Sequence, residues 1–370
     1  MAVSCQTIIN LLESYAPKKM AEEWDNIGLQ IGSPAQSVSC VFLSLDLNEE
    51  IVEEAQGVGA DMLIVHHTPF FKPLKNLRTD LPGGRIIQKI VQQGMCLYTA
   101  HTNLDATVGG VNDVLARVLG LQYVELLTES WQEKLYKLAV FVPLEYTDKV
   151  RDAICEVGAG WIGNYSHCTF GTKGIGTFLP LEGTQPFIGQ KGKLEKVEEI
   201  KIETIVPESR LNHVIKAMLE VHPYEEVAYD LYPLVNEREK AGIGRIGYLS
   251  KVLSLKEFIA LVKEKLFLSM VRYCGDLEKK IEKVALCGGS GAGYISRAAF
   301  LGADVYLTAD LKYHEAQEAL ARDLALVDAG HFGTEWPVVE TVAAYLRQEL
   351  LKKDVKVVVS QINSNPFGFM

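Results

Sequence analysis

Val41-Phe-Leu-Ser-Leu-Asp46, followed by Gly59-Ala-Asp-Met-Leu-Ile-Val65, is the stretch of sequence that decides the fold. The same pattern returns 243 positions later as Val284-Ala-Leu-Cys-Gly-Gly289, followed by Gly302-Ala-Asp-Val-Tyr-Leu-Thr308. Short, continuously apolar runs of this kind are typical of strands buried on both faces. The repeat therefore predicts two related α/β half-domains in one chain.

Helices and strands are predicted to alternate on both sides of this repeat. In the first third of the chain, helical spacing is found at Thr7–Tyr15, Glu49–Gly57, Arg85–Gln93 and Val111–Leu119. The last third repeats the order, with helices predicted from Tyr294, at Tyr313–Arg322 and from Pro337. Because apolar strands separated by helices pack between two helical layers, each half is predicted to be a mainly parallel sheet.

The middle of the chain follows a different order. A strand is predicted at Tyr136–Val142, a helix at Tyr146–Gly158 and a glycine-rich pair of strands at His167–Pro180. A further strand at Glu198–Pro207, a helix at Glu208–Val221 and a strand at Glu226–Leu231 follow. This is the order of the ferredoxin-like split βαβ motif. The chain is therefore predicted to have an α/β core of two halves, 1–127 and 239–370, with an inserted α+β domain at 128–238.

Composition limits the classes of protein to which the chain can belong. A length of 370 residues favours two domains or more, and 48% hydrophobic with 23% charged residues is typical of a globular protein. A net charge of −10 disfavours a nucleic-acid partner, because nucleic-acid binding depends on clustered lysines and arginines.

Cysteine usage and the N-terminal sequence indicate where the protein is found. Seven cysteines without CxxC spacing favour buried thiols in a reducing compartment over a disulfide framework or a zinc ribbon. The N-terminus lacks the basic and apolar regions of a signal peptide, and no apolar run approaches the roughly 18 residues of a membrane helix. The sequence therefore predicts a cytoplasmic protein that does not associate with membranes.

Two histidine–carboxylate pairs share one spacing. His101 and Asp105 follow a short apolar run, and His331 and Glu335 follow another near the end of the chain. If each pair begins a helical turn, its two side chains lie on one face of that turn, as in helical HxxxH and HxxxE ligand motifs. Both pairs are therefore candidate metal ligands.

Further polar residues lie just beyond the predicted strands. His66 and His67 follow one strand directly, and Asp46, Asp310 and the run Gly288–Gly293 hold similar positions after others. Ligands of open α/β sheets collect at the carboxyl ends of the strands, so these residues are predicted to line one cleft. A bend after the strand would let both histidines face that cleft, toward different metals.

The number and type of these side chains indicate a metal centre. Zinc, iron(II), manganese and nickel all accept mixed imidazole and carboxylate ligands. Five or six ligands exceed the needs of one tetrahedral ion, whereas two ions about 3.5–4 Å apart, bridged by a carboxylate, fit the count. Such a pair lowers the pKa of bound water toward about 7 and supplies hydroxide at neutral pH.

Three other features are open to more than one interpretation. Gly288–Gly293 could bind a phosphate through backbone N–H groups or form a tight turn, and Tyr294 stands where a dinucleotide-binding GxGxxG motif needs its last glycine. Glu22–Gly28 could form a wall of the cleft or only a helix end and a turn. His314, four residues after Asp310, could also line the cleft.

The chain resembles the NIF-three-like family, whose members are widely labelled GTP cyclohydrolase I type 2 homologues. The similarity covers about 1–125 and 240–370 and lies in five motifs, Glu23-Trp-Asp-Asn-Ile-Gly28, Val65-His-His-Thr-Pro69, Ala100-His-Thr-Asn-Leu-Asp105, Cys287-Gly-Gly-Ser-Gly291 and Gly330-His-Phe-Gly-Thr-Glu335. The 128–238 stretch resembles the PII/CutA-like domain that longer bacterial members carry.

The resemblance implies a dinuclear metal site with two divalent ions per subunit, zinc first and iron, manganese or nickel as alternatives. Carried over to this sequence, the ligands are His66, His67, Asp105, His331 and Glu335, with Glu335 bridging the two ions. His101 lies at the site in the family, and we assign it to ligand orientation or proton transfer rather than to direct ligation. The resemblance also implies a toroidal homo-hexamer whose openings are capped by the inserted domains.

Two functions follow from these expectations. The first is a metal-dependent hydrolase that acts on a nucleotide-like or phosphorylated substrate, with His101 and Glu335 as catalytic residues. The second is a non-catalytic, metal-binding regulatory or scaffold ring whose inserted domain senses a small ligand or a partner. A nucleic-acid-associated ring is disfavoured by the acidic charge balance.

Overall fold

The computed structural model describes residues 2–72, 74–236 and 240–368. The chain divides into two compact units, one formed by Met1–Trp131 together with Ala241–Met370, and the other by Gln132–Lys240. They are called the core unit and the inserted unit below. The predicted domain boundary between residues 238 and 239 falls in the short stretch outside the described residues.

The first segment of the core unit alternates short strands with helices. Its elements are β1 Val3–Ser4, α1 Cys5–Tyr15, β2 Gly28–Ile31, β3 Ser37–Val38, β4 Cys40–Ser44, α2 Glu49–Gly57, β5 Met62–Val65, α3 Pro82–Gln92, β6 Cys96–Thr99, α4 Thr102–Ala106, α5 Val111–Val118 and β7 Gln122–Leu126. Helix α2 begins where predicted because the Asn48 side chain accepts a hydrogen bond from the Ile51 N–H, which caps its first turn.

The inserted unit and the chain on its two sides supply the next elements. These are β8 Trp131–Gln132, β9 Leu135–Pro143, α6 Thr147–Glu156, β10 Thr169–Phe178, β11 Glu195–Pro207, α7 Leu211–Val221, β12 Tyr229–Leu234 and β13 Lys240–Ala241. The predicted pair of strands at His167–Pro180 is wrong. This glycine-rich stretch forms the single strand β10, which pairs along its whole length with β11.

The last segment of the core unit repeats the alternation of the first. Its elements are β14 Arg245–Ser254, α8 Leu255–Lys265, β15 Arg272–Cys274, β16 Lys280–Leu286, α9 Ile295–Phe300, β17 Val305–Thr308, α10 Tyr313–Ala321, β18 Ala325–Asp328, α11 His331–Glu335, α12 Pro337–Glu349 and β19 Lys356–Val359. Helix α8 is closed at its start by a capping box between Ser254 and Glu257.

The first sheet of the core unit has the strand order β19-β4-β5-β6-β2, in which only β2 is antiparallel to its neighbour. Every residue of β4, β5 and β6 is buried. Val41 and Leu43 face a core shared with α1 and α12, while Phe42 faces a second core shared with α2 and α3. The prediction of a mainly parallel sheet covered on both faces is confirmed for this half.

The second sheet has the order β15-β18-β17-β16-β14-β7, with three parallel strands at its centre. Antiparallel strands flank this centre, with β15 on one side and β14 with β7 on the other. Val284 faces a core with α8, and Ala285 faces a core with α9. The two sheets therefore share a parallel three-strand centre and differ at their edges.

The two halves of the core unit exchange strands. β7 comes from the first segment but pairs with β14 in the second sheet. β19 comes from the end of the chain but pairs with β4 in the first sheet. Neither sheet is therefore built from one contiguous half of the sequence.

The sequence repeat is also a repeat of hydrogen bonds. The Asp61 carboxylate accepts from the backbone N–H groups of Ser39 and Cys40 at 2.7 and 3.0 Å. The Asp304 carboxylate accepts from Glu282 and Lys283 N–H groups at 2.9 and 2.8 Å. Each aspartate thus precedes the second strand of its half and fastens the start of the first. The predicted relationship between the halves extends to individual side chains.

The inserted unit is a four-stranded antiparallel sheet with the order β10-β11-β9-β12. Its elements follow the order βαββαβ, and α6 and α7 pack with the sheet around one hydrophobic core that includes Val140, Ile154, Ile202 and Val214. This is the split βαβ arrangement. Among the residues that the structure describes in either unit, no helix is both long and apolar enough to cross a bilayer.

Candidate metal centre

His66 and His67 leave the end of strand β5 on the same side of the sheet. The backbone N–H groups of both residues donate to the Leu45 carbonyl oxygen, at 3.1 and 3.0 Å, which bends the chain directly after the strand. The bend places the two imidazole rings 4.9 Å apart, measured between their centroids. Adjacent residues, which would face opposite sides within a strand, can therefore contribute to one site.

The two histidine–carboxylate pairs lie at corresponding places in the two halves. His101 immediately precedes the five-residue helix α4, which carries Asp105, and His331 begins the five-residue helix α11, which ends at Glu335. Each pair thus spans one helical turn at the carboxyl end of a parallel strand, as the spacing predicts. In α11 this places His331 Nε2 3.2 Å from Glu335 Oε2.

These side chains form overlapping groups of metal-binding atoms. One group consists of His66, Asp105 and Glu335, and a second of His67, His331 and Glu335, and within each group the ligand atoms lie within 4.8 Å of one another. A third group brings His101 together with His66 and His67. Glu335 belongs to two of the groups, and its side chain is buried, with only 4% of the residue exposed.

Each of the four imidazoles is held by its Nδ1 atom. The acceptors are carboxylate or carbonyl oxygens: Asp46 for His67 at 2.6 Å, Asp310 for His331 at 2.6 Å, Ala100 for His66 at 2.8 Å and Asp25 for His101 at 3.0 Å. An oxygen that can only accept keeps the proton on Nδ1, and so leaves the Nε2 lone pair free. Histidine ligands of metals are typically oriented in this way.

The groups at the centre of the site lack donors. His67 Nε2 lies 3.2 Å from His331 Nε2 and 3.0 Å from Glu335 Oε2. Two buried atoms, His66 Nε2 and Asp105 Oδ1, have no hydrogen-bond partner within the described part of the chain, and Glu335 Oε2 has one only when His67 or His331 carries a proton on Nε2. Burying unpaired acceptors against one another costs free energy unless positive charge lies between them. The donor set therefore fits divalent cations.

The pKa values of the outer histidines show how strongly the site favours positive charge. Burial alone would lower the pKa of His67, but hydrogen bonds and charges from Asp46 and Glu335 raise it to about 10. For His331, burial again opposes protonation, and Glu335 together with Asp310 raises the pKa to about 9. The negative charge at the centre thus outweighs the desolvation of both rings.

The innermost groups respond in different directions. Burial lowers the pKa of His66 to about 3, so this ring is a neutral lone-pair donor. Burial, reinforced by the charge of Glu335, raises the pKa of Asp105 to about 7. Burial would also raise the pKa of Glu335, but its contacts with His331 and His67 hold it below the ordinary glutamate value. Glu335 is therefore the principal anion of the site.

The glycine-rich run after β16 makes room for Glu335. Gly289 has a φ of +62°, and a Cβ atom there would lie 2.1 Å from Glu335 Oε1 and 3.0 Å from His331 Nε2. The backbone N–H groups of residues 288, 289 and 291 donate to the side chains of Asn112, Thr334 and Thr308. Of the two interpretations of this run, the tight turn is the one the structure supports, since these N–H groups are not free for a phosphate.

The Glu22–Gly28 segment forms part of the wall. Asp25 Oδ2 accepts from His101 Nδ1 and from the Thr102 N–H and hydroxyl groups, and it thereby orients the start of α4. Burial would raise the pKa of Asp25, but these hydrogen bonds lower it to about 2. The Trp24 ring lies edge-on to His101, with centroids 6.1 Å apart.

A cleft of about 760 Å³ opens beside His67 and His331. Its lining combines these two residues with three aspartates, one arginine and several apolar side chains, among them Asp46, Asp310, Asp328, Arg272, Phe71, Leu268, Met270, Val271 and Phe332. Arg272 pairs with the Asp328 carboxylate and donates to the Leu311 carbonyl oxygen at 3.0 Å. A small molecule in this cleft would meet mainly apolar walls next to the metal-binding atoms.

The structure brings His66, His67, His101, Asp105, His331 and Glu335 into one site. His314 is not among them, because it is exposed on α10 and its Nδ1 lies 3.1 Å from the Gln317 side chain. Asp25 and Gly289 lie in two segments that were predicted to border the cleft, but their individual contacts, with His101 and with Glu335, were not predicted. The signal for Asp25 is its place in the Trp-Asp-Asn motif, and the signal for Gly289 is its position directly after a strand.

Comparison with known proteins gives a consistent assignment. Residues 3–366 match the family described as Duf34/NIF3 (NGG1p interacting factor 3). The chain is 48% identical over 99% of its length to a protein of Halalkalibacterium halodurans and 45% identical over its whole length to one of Bacillus subtilis; each match covers at least 98% of the relative, and both are named GTP cyclohydrolase 1 type 2 homolog.

A solved structure is also similar over the full chain. The Bacillus cereus protein related to NIF3 is 46% identical and superimposes with a TM-score of 0.91, covering 100% of this chain and 99% of that one. The resemblance based on the five sequence motifs is therefore confirmed, and so is the mixed α/β architecture.

Proposed function

The chain belongs to the Duf34/NIF3 family, and on this premise we propose that it is a dinuclear metal-dependent hydrolase. The observation that carries the proposal is the convergence of Nε2 lone pairs and carboxylate oxygens on one buried point, where two of these atoms lack a hydrogen-bond partner in the described structure. Such a cluster is costly without cations and is arranged as a ligand set.

We assign the five ligands according to the two groups that share Glu335. His66, Asp105 and Glu335 would hold one divalent ion, and His67, His331 and Glu335 would hold the other. Mixed nitrogen and oxygen donors suit zinc, with iron, manganese and nickel as alternatives. Asp46 and Asp310 fix the orientation of His67 and His331 and raise the basicity of these two rings.

A pair of divalent ions lowers the pKa of bound water and polarises a substrate carbonyl or phosphoryl group. We assign proton transfer to His101, whose ring centroid lies 5.1 Å from that of His66 and 5.8 Å from that of His67. Asp25 holds its Nδ1 and lets Nε2 exchange a proton with the reacting molecule. The Trp24 and Phe71 rings, both edge-on to His101, limit the access of water to it.

We propose a nucleotide-like substrate, in keeping with the names of the relatives. The apolar part of the cleft wall suits a heterocyclic ring, and Arg272, which pairs with Asp328, adds a positive charge beside His67 and His331. The glycine-rich run does not contribute a phosphate site, because three of its N–H groups are used by neighbouring side chains.

The proposal includes the setting of the enzyme. We propose a cytoplasmic homo-hexamer in which the inserted unit is a PII/CutA-like domain. The split βαβ topology of the inserted unit supports the last point, and seven free cysteines, five of them buried, support a reducing compartment.

Metal content and hydrolysis, measured together, test the proposal. Protein purified without chelator should contain about two transition-metal ions per chain by mass spectrometry, as a bridged pair requires. Glu335→Gln should lose both ions and all hydrolysis of a panel of nucleotides, including GTP, while its circular dichroism is unchanged. The matched control is Glu340→Gln, since Glu340 is exposed on the next helix and pairs with Arg347.

Each outcome has a definite meaning. Two ions in the wild type and in Glu340→Gln, with none in Glu335→Gln, support the metal centre, and turnover lost with them supports the hydrolase. Wild-type protein that remains metal-free after incubation with zinc, iron and manganese would overturn both parts. Unchanged turnover in Glu335→Gln would overturn the catalytic part alone.

The second candidate is a regulatory or scaffold ring in which the metals serve binding or assembly. A pocket of about 350 Å³ within the inserted unit favours it, since such a pocket can take up a small ligand. Removing the metal separates the two candidates: a hydrolase loses a reaction, whereas a scaffold changes only its assembly, as measured by light scattering.

A further inference from the structure

A cavity of about 350 Å³ lies wholly within the inserted unit. It is bordered by the end of strand β10, by the chain that follows it, and by the loop that precedes β12. Its apolar wall consists of Phe141, Phe178, Pro180, Pro186, Phe187 and Tyr224. A cavity of this size and composition is typical of a site for a small organic molecule.

One carboxylate is buried at this cavity. Glu199 on β11 is only 6% exposed, and its Oε1 atom accepts a hydrogen bond from the Tyr224 hydroxyl at 2.8 Å. Oε2 packs against Gly176 on the neighbouring strand β10, where a Cβ atom would lie only 2.2 Å from it. A buried carboxylate that borders a cavity favours a positively charged or donor-bearing ligand in that cavity.

The charges around the cavity have one sign. Glu225 and Glu226 join Glu199 in the lining, and the described lining residues include no lysine, arginine or histidine. The Glu225 carboxylate also accepts from the Gln185 N–H at 2.8 Å, which ties it to the loop that closes the cavity. An anionic ligand such as a phosphate would be repelled here, whereas a cation would be attracted.

The aromatic rings surround the cavity from different directions. The Phe178 and Tyr224 rings have centroids 5.8 Å apart with an angle of 60° between their planes, and Phe187 and Tyr224 are 6.5 Å apart at 52°. Parallel rings would hold a flat heterocycle by stacking. Inclined rings instead present several faces to a rounded group, which is the arrangement that binds alkylated ammonium ions through cation–π contacts.

We propose that the inserted unit binds a small organic cation of the methylated ammonium class, with Glu199 as its counter-charge and the inclined aromatic rings as its cage. The site is separate from the metal centre and does not depend on the proposed hydrolase activity.

Titration calorimetry of the full-length protein with choline and tetramethylammonium tests the proposal. Tetramethylammonium has no lone pair and cannot act as a metal ligand, so its binding is not binding to a metal ion. At least one of the two probes should bind saturably with a Kd below about 10 mM. The uncharged isostere of choline, 3,3-dimethyl-1-butanol, should bind at least about tenfold more weakly, because it fills the same volume without the charge.

Two variants locate the binding site. Glu199→Gln should weaken binding of the cation at least about tenfold, since it removes the buried charge. The matched control is Glu198→Gln, the neighbouring residue on β11, which is exposed and pairs with Lys173 at 2.9 Å. Phe187→Leu, at a half-exposed position that the fold tolerates, should weaken binding about threefold.

The proposal is overturned if neither cation binds, if the neutral isostere binds as tightly as choline, or if binding survives in both Glu199→Gln and Phe187→Leu. Should Glu199→Gln fail to fold, Phe187→Leu still decides the matter, because an unchanged Kd in that variant contradicts the aromatic cage.

Discussion

Helices α4 and α11 hold corresponding positions in the two halves of the core unit, yet their carboxylates have different reach. Asp105 on α4 belongs to one group of metal-binding atoms, with its Oδ1 3.6 Å from His66 Nε2. Glu335 on α11 is one methylene longer and belongs to two groups. The repeated framework therefore supplies equivalent places, and the longer side chain is the one that reaches both groups of possible metal-binding atoms.

The strand ends differ in the same manner. Displacement by 243 positions aligns Asp46 with Gly289 and His67 with Asp310. In the first half, these places hold a histidine directed at the centre and the aspartate that orients it. In the second half, they hold a glycine that makes room for Glu335 and an aspartate that orients His331. The first half supplies most of the candidate metal-binding side chains, and the second half supplies Glu335, which belongs to two of the groups.

The largest loss of metal and activity is expected from adding a side chain at Gly289, the position that corresponds to Asp46 in the first half. Gly289→Ala should remove both metal ions and reduce activity at least about a hundredfold, because the new Cβ displaces the Glu335 carboxylate and the backbone has a positive φ. Metal analysis and turnover of the purified variant measure this.

Gly293→Ala is the control for that substitution. It lies in the same run, but its Cβ would meet no atom within 4 Å. Metal content equal to wild type in both alanine variants would show that Gly289 is not needed for space.

Shortening the Glu335 side chain should give the two halves carboxylates of equal length. Glu335→Asp, which places the carboxylate at the length of Asp105, should reduce the metal content from about two ions to about one, because one group loses its shared ligand. Zinc titration with a chromogenic indicator counts the ions. Retention of two ions with unchanged affinity would contradict the bridging role.

A smaller effect is expected from the aspartates that orient the histidines. Asp46→Asn and Asp310→Asn should each weaken zinc binding about tenfold to a hundredfold while leaving the stoichiometry unchanged. Competition with a zinc chelator of known affinity measures the loss. Asp80→Asn, an exposed change that leaves the site intact, provides the baseline, and equal affinity in all three variants would count against the orienting role.

The smallest effect is expected from the repeated structural aspartates. Asp61→Asn and Asp304→Asn should each lower the free energy of unfolding by about 1.5 kcal/mol, with metal binding unchanged, because each weakens bonds to two backbone N–H groups. Urea unfolding at neutral pH measures both losses. A loss confined to one half would show that the hydrogen-bond repeat is not energetically equivalent.

The Asp61 variant should also show a pH dependence. Burial would raise the pKa of Asp61, but the hydrogen bonds from Ser39 and Cys40 lower it below the usual 3.8. A lowered carboxyl pKa stabilises the fold above the ordinary value, and this stability is lost as the pH falls through the folded-state pKa. The difference between wild type and Asp61→Asn should therefore shrink below about pH 4.

The centre of each sheet could be predicted from sequence, and its edges could not. Strands β5, β17 and β18 begin and end where the apolar runs do, because burial on both faces requires continuous apolar sequence. The edge strand β7 consists of exposed residues up to Leu126, so no apolar pattern marked it. The exchange of β7 and β19 depends on pairing between distant segments, which local sequence does not encode.

The site was predictable to a similar degree. Histidines and carboxylates at strand ends can be predicted as site residues from their residue type and spacing. Asp25 and Gly289 act through contacts with residues 76 and 46 positions away, Asp25 by orienting His101 and Gly289 by yielding space to Glu335. Their roles follow from three-dimensional proximity, and residue type alone does not reveal them.

The strand pair β7 and β14 has a consequence for how the chain acquired its second unit. The antiparallel pairing continues beyond the strands, with Leu127 N–H donating to Gly244, Thr128 to Ile243 and Ser130 to Ala241. The two points where the inserted unit departs and returns are thus the two ends of an ordinary hairpin, which a short turn could join. Excision of residues 132–240 should therefore leave a shorter protein that folds, and grafting another domain at this hairpin should cost the core little beyond loop closure.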